Sequence, residues 1–192
     1  MKVVYIHGAT ASERSFAFIQ NSLRTKNPIY LNYEKNTTAK DTLSVMKIEL
    51  LKHADEPLFV IAHSMGGLYA TYLQEEFSNI KGVVSLATPF NGSEIATWGA
   101  MLNPNYQLFQ DITTHSNFIT GSRKIEIKVP WLQVVTTIGD VPWISGKNDG
   151  IVTYSSMTCR DDVEYMELDR NHYEIVLSKR VVDIIKKRIY NK

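Results

Sequence analysis

The turn that decides the fold lies at residues 61–68, which read Ile61-Ala62-His63-Ser64-Met65-Gly66-Gly67-Leu68. Residues 57–62 form a continuous apolar run, as expected of a strand buried on both faces of a parallel sheet. The residues after the turn carry apolar side chains at helical spacing. A serine on so tight a strand-to-helix turn is held in a strained backbone geometry that exposes its Oγ, and Ala62 and Gly66 provide the small flanks that such a turn requires. The pattern predicts Ser64 as a nucleophile.

Strand-like and helix-like segments alternate on both sides of this turn. Strands are predicted at residues 3–6, 29–31, 57–62, 80–86, 129–137 and 163–168. Helices are predicted from Ser12, from Thr37 or Thr38, through Leu68, and over the C-terminal segment from about Ile175. The apolar side of the second helix is expected to carry Leu43, Met46, Ile48 and Leu51. Repeated βα units of this length predict an α/β fold with a parallel sheet and helices on both of its faces.

Residues 90–128 interrupt the alternation, since they contain no clear strand and yet are rich in large apolar side chains. Long excursions in compact domains are usually functional loops or caps. Two interpretations stay open: a cap lining an apolar pocket, or a helical insertion that completes the core. Under the first, the candidates for substrate contact are Trp98, Met101 and Phe109.

Length and composition narrow the function classes. The 192 residues fit one domain, 1–192, with the cap-like insertion inside it. The sequence has 21 Lys and Arg and 20 Asp and Glu, which gives a net charge of +1. So balanced a charge does not favour binding to nucleic acid or to an anionic membrane. No stretch approaches the ~20 apolar residues of a membrane span. The short apolar N-terminal run reads as a strand rather than a signal-peptide core, and Cys159 is the single cysteine, so a cytoplasmic protein is the expectation.

The histidines are the candidates for the general base that a serine hydroxyl needs. Of the five, His172 directly follows the last predicted strand. Loops at the carboxyl ends of parallel strands gather at one edge of the sheet, so His172 and Ser64 are expected to meet there. The histidines and Cys159 lack the spacing of metal ligands, so no metal or other cofactor is expected.

The acid that orients the base is expected after the strand 129–137, where two aspartates follow. Asp149 lies in the turn Asn148-Asp149-Gly150, whose glycine frees the backbone so that the carboxylate can point inward. Asp140 is closer to the strand end and is the rival. We prefer Asp149.

Acyl transfer also needs hydrogen-bond donors for the oxyanion that develops during the reaction. The backbone amide of Met65, directly after the nucleophile, is one candidate. The second is expected from the loop after the first strand, His7-Gly8-Ala9-Thr10, with the amide of Ala9 as the candidate.

These stretches together, with Leu86-Ala87-Thr88-Pro89-Phe90-Asn91-Gly92-Ser93, resemble the α/β-hydrolase superfamily, in particular small bacterial lipases and esterases. Ala62 stands where that family most often has glycine, and the chain is too short for a large lid. The resemblance implies about six mostly parallel strands with a short cap insertion.

The same resemblance implies hydrolysis of carboxylic esters through an acyl-enzyme on Ser64. The leading hypothesis is a small-molecule ester with an apolar acyl group, and nothing in the sequence indicates an obligate protein partner. A thioesterase or acyltransferase would use the same triad. A non-catalytic binding protein on the same fold is the alternative from another class.

Overall fold

The sheet has six strands, all parallel, in the order β2-β1-β3-β4-β5-β6. The computed structural model describes residues 1–34, 36–103, 105–139, 141, 144 and 146–190. The strands are β1 Lys2–Ile6, β2 Ile29–Tyr30, β3 Leu58–His63, β4 Ile80–Leu86, β5 Trp131–Thr136 and β6 Glu164–Leu168. The chain starts at β1, next to one edge of the sheet, adds β2 at that edge, and returns past β1 to add the remaining strands in sequence order. The predicted parallel α/β architecture is confirmed.

Eight α-helices are assigned in the part of the chain described: α1 Ala17–Leu23, α2 Ala39–Leu51, α3 Met65–Glu76, α4 Glu94–Leu102, α5 Gln107–Asp111, α6 Asn117–Ser122, α7 Tyr154–Met157 and α8 Lys179–Tyr190. Two 3-10 turns, Glu13–Phe16 and Glu174–Leu177, precede α1 and α8. Thr38, not Thr37, is the N-cap of α2, since its side chain accepts a hydrogen bond from the Asp41 amide. None of these helices combines the length and apolar character needed to cross a bilayer.

The core lies in two layers, one on each face of the sheet. Val4 and Ile6 of β1 pack into the layer that contains α2 and α3, whereas Val3 and Tyr5 pack into the layer of α1 and α8. Successive side chains of a strand point to opposite faces, so a strand covered by helices on both sides needs apolar residues at every position. This is why the central strands read as continuous apolar runs.

Of the four residues predicted for the apolar side of α2, two are buried and two are exposed. Leu43 and Met46 are buried as expected and are joined by Leu50, but Ile48 and Leu51 are 62% and 63% exposed. Steps of three and four residues keep Leu43, Met46 and Leu50 on one side of the helix. Ile48 is two residues from Met46, which places it on the opposite side.

Residues 90–128 form the short helices α4, α5 and α6 between β4 and β5. Phe118 and Ile119 of α6 belong to the core layer of α3, and the Tyr72 hydroxyl of α3 donates a 2.8 Å hydrogen bond to the Phe118 carbonyl. Part of the segment therefore completes the core. Other residues of the same segment line the cavity described below.

The first turn of α3 packs directly against the end of β1. A Cβ at Gly66 would collide with the Ile6 carbonyl oxygen and lie 2.8 Å from the His7 carbonyl oxygen. Both obstacles are backbone atoms of the sheet edge, so neither can rotate away. Glycine at this position therefore sets how closely the helix approaches the strand.

We expect Gly66→Ala to lower the free energy of unfolding by about 1–3 kcal/mol, because the added methyl forces α3 away from β1. Gly99→Ala in α4 is the matched control. There the new Cβ meets only the Phe109 ring, at 2.9 Å, which can shift, and alanine gains up to ~1 kcal/mol of helix propensity. Urea denaturation of both variants measures the difference. A loss at Gly99 as large as at Gly66 would contradict this account of the β1–α3 contact.

Candidate active site

Ser64 lies between the last residue of β3 and the first residue of α3, with φ 52° and ψ −124°. A non-glycine residue in this region costs of order 1–3 kcal/mol and persists where its surroundings hold it. Here the Ser64 amide donates a 2.8 Å hydrogen bond to the Leu86 carbonyl, and the Gly67 amide donates at 3.0 Å to the Ser64 carbonyl. The backbone conformation predicted for the turn is present.

The structure brings Ser64, His172 and Asp149 together. The His172 Nε2 atom lies 3.0 Å from Ser64 Oγ, and its Nδ1 atom lies 2.8 Å from Asp149 Oδ2. Since a carboxylate can only accept, Nδ1 carries the proton and Nε2 is free to accept from the serine hydroxyl. All three side chains are buried.

Three different strand ends supply these side chains. Ser64 follows β3, Asp149 lies in the loop after β5, and His172 follows β6. The carboxyl ends of parallel strands meet at one edge of the sheet, so residues 108 and 23 positions apart in sequence become neighbours. The rival Asp140 is outside the described residues.

The carboxylate of Asp149 is held on all sides by donors. Oδ1 accepts hydrogen bonds from the amides of Ile151 and Val152, at 3.0 and 2.7 Å. Oδ2 accepts a short hydrogen bond from the Thr136 hydroxyl in addition to the one from His172. Burial alone would raise the pKa of Asp149, but the hydrogen bonds from His172, Thr136 and Val152 outweigh burial and hold that pKa below its usual value. The carboxyl is therefore ionised at neutral pH.

The loop after β1 passes over Ser64. A Cβ at Gly8 would lie 3.0 Å from Ser64 Cβ, so only glycine lets the backbone come this close. Ala9 follows and lines the cavity beside Ser64, and its amide donates to no backbone carbonyl within the described part of the chain. Met65 is the first residue of α3, so its amide has no acceptor within the helix. Both predicted oxyanion donors thus belong to segments that flank the serine.

His7 fixes the orientation of this loop. Its Nδ1–H donates a 2.8 Å hydrogen bond to the Gly8 carbonyl, and its ring stacks on Tyr33 with 4.3 Å between centroids. The Tyr33 hydroxyl donates to the His7 carbonyl at 3.0 Å. Because the C=O of Gly8 and the N–H of Ala9 belong to one trans peptide and point in opposite directions, holding the first turns the second away from His7.

A cavity of about 480 Å³ opens on Ser64 and His172. Its walls are mostly apolar, and none of its described lining residues is Asp, Glu, Lys or Arg. Ile95, Ala96, Phe109 and Ile112 come from the 90–128 segment, Ile151 and Val152 come from the loop after β5, and Val176 comes from the 3-10 turn before α8. Part of the segment therefore forms one wall of the site, in addition to its part in the core.

Of the three predicted substrate contacts, the structure places only Phe109 at this cavity. Trp98 and Met101 are 62% and 70% exposed and are not among its lining residues. The reason is helical phase: Ala96 and Ala100 mark the buried side of α4, and at 100° per residue Trp98 and Met101 fall on the other side. Counting apolar residues in the segment could not separate these two sides.

Two residues of the site were missed by sequence reasoning. Thr136, the last residue of β5, binds the Asp149 carboxylate. His63, the last residue of β3, donates from Nε2 to the His172 carbonyl at 2.9 Å. Position at a strand end was the available signal, since such residues face the same edge as Ser64. As for metals, no group of three or more His, Cys, Asp or Glu side chains among the described residues is arranged to hold one.

The sequence matches no protein-family model, and no curated protein matches it. Solved structures do match. A Bacillus licheniformis lipase in its mature form has a TM-score of 0.74 at 15% identity, over 98% of this chain and 91% of that one. A metagenomic carboxyl esterase matches with a TM-score of 0.73 at 11% identity, over 90% of this chain and 64% of the esterase. A Paleococcus ferrophilus monoacylglycerol lipase matches with a TM-score of 0.61 at 16% identity, over 97% of this chain and 91% of the lipase.

These likenesses extend over nearly the whole chain and agree with the six parallel strands described above. The chain therefore has the α/β-hydrolase fold found in lipases and esterases, as its sequence predicts.

Proposed function

We propose that this protein is a serine hydrolase that cleaves carboxylic esters with an apolar acyl group. The observation that carries the proposal is the unbroken hydrogen-bond chain from Ser64 through His172 to Asp149, which opens on an apolar cavity. The lipases and the esterase that share the fold support ester chemistry at this site.

In the proposed reaction His172 accepts the Ser64 proton at Nε2 as Oγ attacks the ester carbonyl. Asp149 stabilises the imidazolium that forms and keeps the ring in the tautomer that can accept. The amides of Met65 and Ala9 bind the oxyanion. His172 then protonates the departing alcohol, which leaves an acyl group on Ser64, and water attacks this acyl-enzyme with His172 as base again.

The cavity favours substrates whose acyl part is uncharged. Its described lining offers an acyl chain apolar surface and offers a charged group no opposite charge, so burying such a group there would be costly. A thioesterase or acyltransferase would use the same three side chains and differs in the leaving group or the acceptor. A non-catalytic binding protein is less well supported, because binding alone needs neither the strained Ser64 backbone nor a base and acid aligned behind it.

Hydrolysis of p-nitrophenyl esters of graded acyl length, wild type beside Ser64→Ala, tests the proposal. We expect activity to peak at one acyl-chain length and to vanish in the variant. Among the described contacts, no hydroxyl other than that of Ser64 is hydrogen-bonded to His172 Nε2. Labelling of Ser64 by a fluorophosphonate reports the nucleophile independently. If the wild type neither turns over esters nor takes the label, the binding-protein alternative replaces the proposal.

Asp149→Asn should lower kcat by about 10³–10⁴-fold with little change in fold, because an amide at this position favours the wrong tautomer of His172. Steady-state kinetics on the preferred ester measures the loss. Asp140→Asn is the matched comparison and should cost far less. The reverse ranking would overturn the assignment of the acid.

Ile95→Trp should shift the chain-length optimum toward shorter esters, because Ile95 lines the cavity and is half-buried, so a larger side chain there takes up space that the acyl chain needs. We expect kcat/KM for the longest ester that the wild type cleaves to fall roughly ten-fold or more. Trp98→Ala, three residues along the same helix and exposed, is the control and should leave the profile unchanged. An optimum that moves in the control and stays in Ile95→Trp would contradict the proposed acyl site.

A further inference from the structure

His63 is a buried histidine beside the nucleophile that the proposed mechanism does not use. It ends β3, directly before Ser64, and it lines the cavity. Its Nε2–H donates a 2.9 Å hydrogen bond to the backbone carbonyl of His172, and the two rings lie 5.0 Å apart between centroids. The contact joins residues 109 positions apart, so it ties the end of β3 to the loop after β6.

The other ring nitrogen of His63 faces the loop after β1. Its Nδ1 atom is buried and has no hydrogen-bond partner within the described part of the chain. A Cβ at Gly8 would lie 2.9 Å from it. Protonating Nδ1 would therefore bury a charged ring with an unpaired donor, which is costly. The ring is held neutral, with its single proton on Nε2, where it serves the bond to His172.

The electrostatic surroundings act in the same direction. Burial, followed by the adjacent His172, lowers the pKa of His63 to about 3, and His7 adds to this lowering. The hydrogen bond to the His172 carbonyl and the charge of Asp149 oppose it without overcoming it. Burial is the largest of these effects, so His63 is a neutral donor at neutral pH.

The backbone of His172 is held at two points. Its N–H donates at 3.1 Å to the Asp149 carbonyl, and its C=O accepts from His63. Between these points the imidazole must keep 3.0 Å to Ser64 Oγ and 2.8 Å to Asp149 Oδ2 at the same time. A displacement of the order of 1 Å in such an arrangement can cost ~10²-fold in rate.

We propose that His63 is a positioning residue, which holds the His172 backbone through its Nε2–H and so keeps the imidazole aligned between Ser64 and Asp149. The proposal rests on the proposed hydrolase function for its effect on turnover. Its structural part, a neutral His63 that donates to the base loop, stands independently of which ester the protein cleaves.

Two variants separate the hydrogen bond from the volume of the ring. His63→Met keeps an unbranched side chain of similar size without a donor, and His63→Gln places an amide N–H near the position of Nε2. We expect His63→Met to lower kcat roughly 10- to 100-fold with KM changed by about two-fold or less, since alignment and not substrate binding is lost. His63→Gln should recover most of that loss. Full activity in His63→Met, or equal losses in both variants, would overturn the proposal.

The rate of Ser64 labelling by a fluorophosphonate and the downfield proton resonance of the His172 Nδ1–H need no ester substrate. Both are expected to weaken in His63→Met and to return in His63→Gln. A wild type that takes the label but cleaves no ester would remove the proposed substrate and leave this test intact. A loss of thermal stability with an unchanged labelling rate and resonance would instead mark His63 as a packing residue and contradict the proposal.

The wild-type protein supplies a test that does not depend on whether the variants fold. Nitrogen-15 spectra of the histidine rings should show His63 neutral, protonated on Nε2 and without a proton on Nδ1, at neutral pH. A charged His63, or one protonated on Nδ1, could not make the inferred contact with His172 and would overturn the proposal.

Discussion

The left-handed backbone of Ser64 is the constraint on which the rest of the site depends. With φ at 52°, the chain reverses from β3 into α3 within one residue, which leaves Oγ at the sheet edge and the start of the helix beneath it. That reversal brings the first turn of α3 into contact with the backbone at the end of β1, and Gly66 permits the contact because it has no Cβ. The packing of two whole elements thus holds one strained residue, and it directs the serine toward the loops from the other strands.

Near Ser64, the buried carboxylate of Asp149 has a hydrogen-bond donor on each of its two oxygens. Asp149 accepts from two amides, from Thr136 and from His172, so it stays ionised in spite of its burial. A charge buried without such partners would be strongly destabilising. The network therefore has two consequences at once: it makes an anion tolerable inside the protein, and it fixes the tautomer of the base.

The 90–128 segment contacts both the protein core and the cavity beside Ser64. One part of it, around Phe118, packs on α3, and another part, around Ile95 and Phe109, forms a wall of the cavity. Ser93, the N-cap of α4, also donates to the carbonyl of Ile151, whose own amide binds the Asp149 carboxylate. The two interpretations left open by the sequence describe different faces of the same segment.

The sequence by itself determined the parallel sheet and the turn at Ser64, because apolar runs and the turns after them show which strand ends share one edge of the sheet. It also predicted His172 and preferred Asp149 over Asp140 as the partners of Ser64, and the structure brings His172 and Asp149 together with the serine. It could not determine which side of a short helix faces the cavity, so Trp98 was expected inside and lies outside. The strand ends placed Thr136 and His63 at the same edge as Ser64, but not the hydrogen bonds that they make to Asp149 and His172. Contacts of this kind join residues far apart in the chain, and their geometry exists only once both layers have packed on the sheet.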